Sequence, residues 1–254
     1  MTSLEVIALT GLPLIKAGDD LVALIASSLK LNGVEPRAQD VLVVAQKIVS
    51  KAEGRMVDLA TIKPSPQAIA LAADVDKDPR LVETILSESV RVVRARRNVL
   101  IVEHRLGFIM ANAGVDQSNV GPADGAQRAL LLPEHPDRSA VALRNGLTEK
   151  TGIDLAVVIN DSFGRAWRQG TAGVAIGAAG LPALIDLRGR PDLFGRRLEV
   201  SVIGFADEVA AAASLLMGQA DEALPAVLIR GLRWSAPEST AASIIRSPNE
   251  DMFR

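Results

Sequence analysis

Residues 154–170 read DLAVVINDSFGRAWRQG, and this stretch sets the architecture that the sequence predicts. The apolar run 155–160 is typical of a strand covered on both faces of a sheet, and we expect it to end at Asn160. Asp161 and Ser162 then lie just beyond its carboxyl edge, where open α/β sheets collect ligand-binding groups. Arg165 and Arg168 follow, and guanidinium groups suit phosphate oxygens, although the sequence leaves open whether these two touch phosphate.

A second segment, 111–120, reads ANAGVDQSNV and offers oxygen ligands on a turn of small residues. It presents Asp116, Gln117, Ser118 and Asn119 together. Two loops that each carry one carboxylate beside hydroxyl or amide oxygens suit a hexacoordinate cation that keeps some of its water. The alternative is that Asp116 and Asp161 are ordinary turn or cap residues, and spacing alone does not decide between the two.

Two further segments carry polar residues at informative spacing. In 40–55, DVLVVAQKIVSKAEGR, the lysines Lys47 and Lys51 share a face whether the chain is helical or extended, so they either meet phosphates or form a solvated pair. In 215–222, LLMGQADE, Gln219 follows Gly218 just beyond a predicted helix end. The alternative is that Gly218 only terminates the helix and Gln219 is solvated.

The remaining pattern predicts an irregular alternation of strands and helices. Strands are predicted at 4–9, 41–45 and 226–230, and a hairpin at 98–103 and 108–111. A helix begins at Asp19 or Asp20, with apolar residues at i, i+3, i+4 and i+8. The fold class is therefore α/β (α+β) with a mixed sheet, in a single domain over 1–254 whose tail, 235–254, we expect to be loosely held.

Three other helices are predicted. One runs from Pro79 through Arg97 and places Glu88 and Arg91 as a solvated ion pair on its surface. One lies within 122–136, before a loop. One is capped by Asp207 and continues through 210–216.

Composition excludes several classes of function. With 254 residues, 48% of them hydrophobic and 23% charged, the chain is a globular protein. The net charge of −2 argues against a dedicated nucleic-acid binder, and 3% aromatic residues argue against a base-stacking surface. Without cysteine and with only two histidines, a metal must be held mainly by oxygen, which selects Mg²⁺ or Mn²⁺. We expect no membrane partner and a cytoplasmic location, because no targeting or spanning segment is visible.

Common catalytic motifs are missing from the sequence. It contains no Walker A phosphate loop, no dinucleotide fingerprint, no H-E-x-x-H and no G-x-S-x-G. A serine nucleophile at Ser162 would need a histidine base, and His104 and His135 are the only candidates. A serine hydrolase is therefore disfavoured.

Taken together in order, eight segments of the chain resemble the coenzyme F420:L-glutamate ligase family. The resemblance covers residues 4–234. The segments are GLPLI (11–15), GDDL (18–21), QKIVSKAEGR (46–55), ANAGVDQSNV (111–120), NDSFGRAWRQG (160–170), DLFGRRL (192–198), ADEVAAAA (206–213) and MGQADE (217–222).

The resemblance implies a fold of two closely associated subdomains in an intertwined homodimer, in the form without a fused nitroreductase-like domain. It implies a GTP-dependent enzyme that adds L-glutamate to the side chain of coenzyme F420-0 through an acyl phosphate and releases GDP and phosphate. Mg²⁺ or Mn²⁺, with K⁺ as a further cation, would assist. The sequence does not decide whether GTP is preferred over ATP. It also leaves open the number of glutamates added, the number of metal ions and the exact acceptor side chain.

Carried over residue by residue, the resemblance also implies a site. The catalytic residues are Asp116, Asp161 and Lys51. Ser162 stands where the family is expected to have threonine, and Gln46 where it often has serine. The metal ligands are Asp116, Asp161, Ser162 and Gln219, and the nucleotide contacts are Leu12, Pro13, Leu14, Ile15, Gln46, Lys51, Asn119, Leu215, Leu216, Met217, Gly218, Gln219, Ala220, Asp221 and Glu222.

Two other functions fit the same residues. One is a module that binds a nucleotide or deazaflavin without catalysis. The other is a ligase that joins a different carboxylate to a different amine.

Overall fold

A five-stranded mixed sheet lies at the centre of the fold, in a computed structural model that describes residues 3–121 and 125–252. In spatial order its strands are β1 (Glu5–Ala8), β12 (Ala226–Arg230), β2 (Val41–Ala45), β8 (Ala156–Arg165) and β9 (Arg168–Ala179). The pair β2 and β8 is parallel, and the other neighbours are antiparallel. The predicted mixed sheet of an α/β protein is confirmed.

Helices cover both faces of this sheet. One face packs against α1 (Leu21–Leu31), α2 (Gln46–Ala52) and α5 (Pro136–Thr151), and the other against α6 (Phe205–Met217). Alternate residues of β2 enter the two cores, which explains why its sequence is apolar throughout. The predicted start of α1 is confirmed, because the Asp20 carboxylate accepts a 2.9 Å hydrogen bond from Ala23 N.

A second, three-stranded sheet packs on two helices of its own. Its strands are β4 (Ser89–Arg96), β5 (Val99–His104) and β6 (Ile109–Ala111), and the helices are α3 (Pro66–Val75) and α4 (Pro79–Ser87). Val75, Ile85, Leu100 and Val102 belong to a separate core cluster there. The predicted β5–β6 hairpin is confirmed. Two short pairs complete the strands: β3 (Met56–Asp58) with β7 (Arg128–Leu130), and β10 (Ile185–Asp186) with β11 (Val202–Ile203).

The helix predicted from Pro79 through Arg97 is wrong in its second half. The helix ends at Ser87, and the valine-rich segment that follows forms β4 against β5, where β-branched residues favour a strand. Glu88 and Arg91 therefore do not pair with each other. Arg91 Nε lies 2.7 Å from Glu103 Oε2 instead.

Two other helix predictions are also corrected. The helix expected within 122–136 is wrong for the described part of that range, where 128–130 form β7 and α5 begins only at Pro136; residues 122–124 lie outside the described residues. Gly204, not Asp207, occupies the N-cap of α6. Asp207 lies in the first turn and accepts a 2.9 Å hydrogen bond from Ala175 N, which ties α6 to β9.

The segment near the C-terminus contacts the main body at two points. Ser239 Oγ accepts a hydrogen bond from Ala183 N at 2.9 Å. Ala241 is buried, and its N–H donates to Asp137 Oδ1 at 2.8 Å. Within the described ranges, no helix has the length and hydropathy of a membrane span.

A buried carboxylate connects the smaller sheet to the segment after α2. Glu88 Oε2 lies 3.0 Å from Arg55 Nη2, 3.0 Å from Arg105 Nε and 3.5 Å from His104 Nε2. Burial raises the pKa of Glu88, but hydrogen bonding to His104 and Arg105 and the charges of both arginines outweigh burial and lower the pKa from 4.5 to about 2. The ionised carboxylate therefore stabilises the junction.

We expect Glu88→Gln to lower the free energy of unfolding at pH 7 by about 3 kcal/mol, the equivalent of the lowered pKa. Because the unfolded chain takes up the proton first, this contribution is present above pH 4.5 and is lost as the pH falls to about 2. Urea unfolding of wild type and variant at pH 7 and pH 2.5 measures it. The free energies of unfolding of the two proteins should differ less at pH 2.5 than at pH 7. Glu149→Gln, at an exposed position, is the control. If Glu88→Gln lowers the free energy of unfolding at pH 7 by no more than this control does, the role assigned to Glu88 is contradicted.

Candidate nucleotide and metal site

The candidate site lies where strand β8 extends beyond the end of its parallel neighbour, β2. β2 pairs with β8 as far as Ala45 opposite Asn160, and the chain then turns into α2. β8 continues to Arg165, paired only with β9. Asp161 and Ser162 thus lie within a strand, which corrects the prediction that the strand ends at Asn160. They still lie beyond the end of β2, and as neighbours on a strand their side chains point to opposite faces.

The two lysines of α2 bind the 111–120 segment. Lys47 Nζ lies 2.8 Å from Asp116 Oδ2 and donates to Ser118 Oγ at 2.8 Å and Ser118 O at 3.1 Å. Lys51 Nζ donates to Asn119 O at 2.6 Å. The segment is helical, and both lysines are bonded to a second segment of the site, which contradicts the alternative of a solvated pair.

The two carboxylates of the site influence each other's ionisation. The pKa of Asp161 is raised to about 6: burial is the main cause and the negative charge of Asp116 adds to it, whereas the Ser162 N–H and Lys47 oppose the rise. Burial also raises the pKa of Asp116, but hydrogen bonds from Lys47 and Ser118 outweigh it and lower that pKa overall. Burial and the charge of Lys47 lower the pKa of Lys51. An additional cation near Asp161 would relieve the repulsion between the carboxylates.

The segment after α6, 215–222, contacts both the end of β8 and the 111–120 segment. Gln219 Nε2 donates to Ser162 Oγ at 2.8 Å. Asn119 Nδ2 donates to Ala220 O at 2.8 Å. The helix ends before Gly218 as predicted, and Gly218 has φ 68° and ψ −169°, a backbone conformation that is open to glycine and strained for other residues. Hydrogen bonds therefore link 215–222 to both aspartate-bearing segments.

The other candidate residues lie around this group. Segment 12–15 precedes α1; Leu14 is exposed and Ile15 is buried, and Gly18 N donates to Ala52 O at 2.9 Å, which places the segment near the end of α2. Gln46 is buried, and its Oε1 accepts from Ser50 Oγ at 2.9 Å. The remaining candidates divide by exposure: Leu215, Leu216, Asp221, Glu222, Arg165 and Arg168 are exposed, whereas Met217 is buried.

Sequence analysis singled out Lys47 by its spacing to Lys51, but the list of site residues implied by the family resemblance contains neither Lys47 nor Asn160. Lys47 contacts Asp116 directly. Asn160 is buried; its Nδ2 lies 3.4 Å from Met217 Sδ, and its Oδ1 has no hydrogen-bond partner in the part of the chain that the structure describes. An amide that closes an apolar run was the signal for Asn160, because such a group in a core needs a partner.

The donor set fits a magnesium-type ion rather than zinc. Among the described residues, no three histidine, aspartate or glutamate side chains gather as a preformed metal cluster. Asp116 and Asp161 offer two carboxylates near one face of the end of β8, and Ser162 and Gln219 offer a hydroxyl and an amide at the other face. Mg²⁺ typically binds one or two carboxylates, keeps water and takes the rest of its ligands from substrate phosphates.

We expect Asp161→Asn and Asp116→Asn to weaken Mn²⁺ binding in the presence of nucleotide by at least about tenfold, because each removes a charged ligand. Without metal, Asp161→Asn should leave the Tm unchanged or higher, since burial disfavours that carboxylate. Mn²⁺ titration by electron paramagnetic resonance and thermal scans measure both effects. Asp74→Asn, on the exposed face of α3, is the matched control; a large fall in Tm with unchanged Mn²⁺ affinity would identify the aspartates as turn residues only.

Comparison with known proteins identifies the family of the chain. The family model for F420-0:Gamma-glutamyl ligase matches residues 11–231. Proteins named coenzyme F420:L-glutamate ligase from Methanothermobacter thermautotrophicus and Methanopyrus kandleri are 47% and 48% identical to the chain, over 99% and 94% of its length and 99% and 93% of theirs. The relative of that name from Methanocaldococcus jannaschii is 40% identical over 98% of the chain and 96% of its own length. The chain belongs to the F420-0:γ-glutamyl ligase family.

Proposed function

We propose that the chain joins L-glutamate to coenzyme F420-0 through an amide bond, in a reaction driven by GTP and assisted by a divalent metal ion. The observation that supports this most directly is the hydrogen-bonded junction of four segments: α2, 111–120, the end of β8 and 215–222. It brings together Asp116, Ser162, Gln219 and the α2 lysines. The names of the relatives supply the two substrates. The two lysines of α2 at this junction support our proposal that a triphosphate is held there.

An amide does not form from a free carboxylate without activation. In the proposed route an acceptor carboxylate oxygen attacks the γ-phosphorus of GTP, and the bond from phosphorus to the β-phosphate oxygen breaks to release GDP. The glutamate nitrogen then attacks the acyl phosphate carbon. The carbon–oxygen bond to phosphate breaks, phosphate leaves and the nitrogen loses a proton. Both steps depend on placement and charge stabilisation by the protein.

The residues of the site divide this work by their chemistry. Asp116, Asp161, Ser162 and Gln219 would hold Mg²⁺ or Mn²⁺, which neutralises phosphate oxygens when bound. Lys51 is partly buried, and its ammonium group would bind a phosphate oxygen on the side away from the metal ion. Segments 12–15 and 215–222 flank α2 and its partner loop, so a nucleotide between them would lie over Lys51.

We also propose that the protein acts as a homodimer. Leu193 and Phe194, on the loop between β10 and β11, are 98% and 95% exposed. Adjacent apolar side chains this exposed are typical of a protein contact. Light scattering of wild type and of Leu193→Ser/Phe194→Ser tests this: a dimer that becomes a monomer in the double variant agrees, and a monomeric wild type contradicts it.

The decisive experiment incubates the protein with GTP, Mn²⁺ or Mg²⁺, L-glutamate and F420-0, and follows GDP release and the mass of the acceptor. We expect GDP and a product heavier by one glutamate residue or more. Replacing GTP with ATP, and chelating the metal, test the nucleotide and metal requirements. Nucleotide binding without GDP would indicate a binding module. GDP formed only with another acceptor or amino acid would indicate a different ligase.

We expect Lys51→Ala to weaken GTP binding by about 10- to 100-fold, the loss of one charge-assisted hydrogen bond. Calorimetric titration with a non-hydrolysable GTP analogue measures it. Lys30→Ala, an exposed lysine in the last turn of α1, is the matched control and should bind like wild type. Equal affinities for Lys51→Ala and wild type would remove Lys51 from the nucleotide site.

A further inference from the structure

A small cavity opens beside the sheet face that carries Asp161. Its volume is about 180 Å³, and Phe108, Ile176 and Ala242 form apolar parts of its wall. The polar part comes from the start of α5, where His135, Asp137 and Arg138 line the cavity. None of these residues belongs to the nucleotide and metal site described above.

The lining of the cavity carries one positive and one negative side chain, Arg138 and Asp137. The oxygens of the Asp137 carboxylate accept hydrogen bonds from the backbone, Oδ1 from Ala178 N at 2.9 Å and Ala241 N at 2.8 Å and Oδ2 from Ala242 N at 3.3 Å. The exposed side chains of His135 and Arg138 make no hydrogen bond or ion pair with any residue in the described ranges. An unpaired guanidinium beside a ring N–H donor suits a carboxylate ligand.

The cavity lies close to the reacting end of the proposed site. The Phe108 ring, in its wall, packs on Phe163 with ring centroids 6.2 Å apart. Phe163 follows Asp161 by two residues on β8, so both side chains are on the same face and about 7 Å apart along the strand. Glu53, just after α2, accepts hydrogen bonds from Ser139 Oγ and Glu134 N, so the lysine-bearing helix and the cavity wall are also connected.

The volume selects the size of the ligand. About 180 Å³ corresponds to roughly six water molecules and is well below the roughly 300–1,000 Å³ of pockets for drug-sized molecules. A single amino acid fits such a space. A carboxylate in this cavity therefore comes either from a free amino acid or from the end of the acceptor side chain.

We propose that this cavity binds a carboxylate of the incoming L-glutamate, with Arg138 as its charged partner and His135 as a second donor. The proposal rests on the proposed ligase function. It leaves the glutamate nitrogen on the Phe163 side of the cavity, toward Asp161 and the activated acceptor. Arg138 is thus a binding residue for the amino acid and takes no part in phosphoryl transfer.

Steady-state kinetics of Arg138→Gln test this assignment. We expect KM for L-glutamate to rise by about tenfold or more, as one charge-assisted hydrogen bond is lost, while KM for GTP and for F420-0 changes less than twofold. Arg94→Gln, an exposed arginine on β4, is the matched control. Ala242→Phe, which adds a bulky ring to the lining of the cavity, should raise the same KM. An unchanged KM for glutamate in both cavity variants, or a rise confined to F420-0, would overturn the proposal.

Direct binding separates this proposal from the ligase function itself. Calorimetric titration of L-glutamate into wild type loaded with a non-hydrolysable GTP analogue should show binding that Arg138→Gln loses and Arg94→Gln keeps. If wild type forms no product yet shows this pattern, the ligase proposal fails and the cavity assignment stands. If wild type forms product and Arg138→Gln binds glutamate normally, the cavity assignment fails alone.

Discussion

The charge of Asp116 raises the pKa of Asp161, and Lys47 partly offsets that repulsion by pairing with Asp116. This electrostatic balance between groups from three segments is the constraint on which the site depends. A protein that needed only a stable core would not place a carboxylate where burial raises its pKa to about 6. The arrangement is costly in the free protein, and strongly shifted pKa values of this kind are typical of functional sites.

The scaffold achieves the arrangement through small residues on β9. A Cβ on Gly173 would lie 2.5 Å from Ala210 O in α6, and one on Gly177 would lie 2.4 Å from Pro136 O in α5. Both helices therefore approach the strand more closely than any larger residue permits. The C-terminal end of α6 then carries Gln219 to Ser162, and the start of α5 carries His135 and Arg138 to the cavity. The glycine-rich sequence of β9 thus determines the position of both candidate binding regions.

Much of the central sheet could be predicted from the sequence, because strands buried on both faces are apolar throughout and their ends carry polar residues. The end of β8 could not, since its last residues are held only by cross-strand pairing with β9. Pairing between strands also explains why the helix expected through residue 97 does not continue past 87. The spacing of apolar residues there is compatible with a helix, but the valines form a strand that pairs with β5. In both cases the structure depends on pairing with a strand from another part of the chain, and the local spacing of residues does not reveal such pairing.

For the candidate site, too, the sequence indicated individual segments but not the contacts between them. Turn chemistry and spacing singled out Asp116, Asp161 and the lysines one segment at a time, but the hydrogen bond from Asn119 to Ala220 joins residues that nothing in the sequence pairs. The family resemblance brought those segments into one list of residues without geometry. Arg138 and His135 had no signal at all, because an unpaired arginine on a helix surface is indistinguishable in sequence from any solvated one.

Lys47 adds a coupling between ligands that follows from these contacts. Its Nζ is bonded to Asp116 and to both Ser118 oxygens, so in the free protein Lys47 competes with any cation for these oxygens. Under the proposed function, a triphosphate that arrives with its metal would provide another anion for Lys47. Metal and nucleotide would then each remove part of the cost of binding the other, and linkage requires such an effect to be reciprocal. Lys47, which pairs with Asp116 in the free protein, would therefore be the group through which the charge of the nucleotide and the charge of the metal ion are matched.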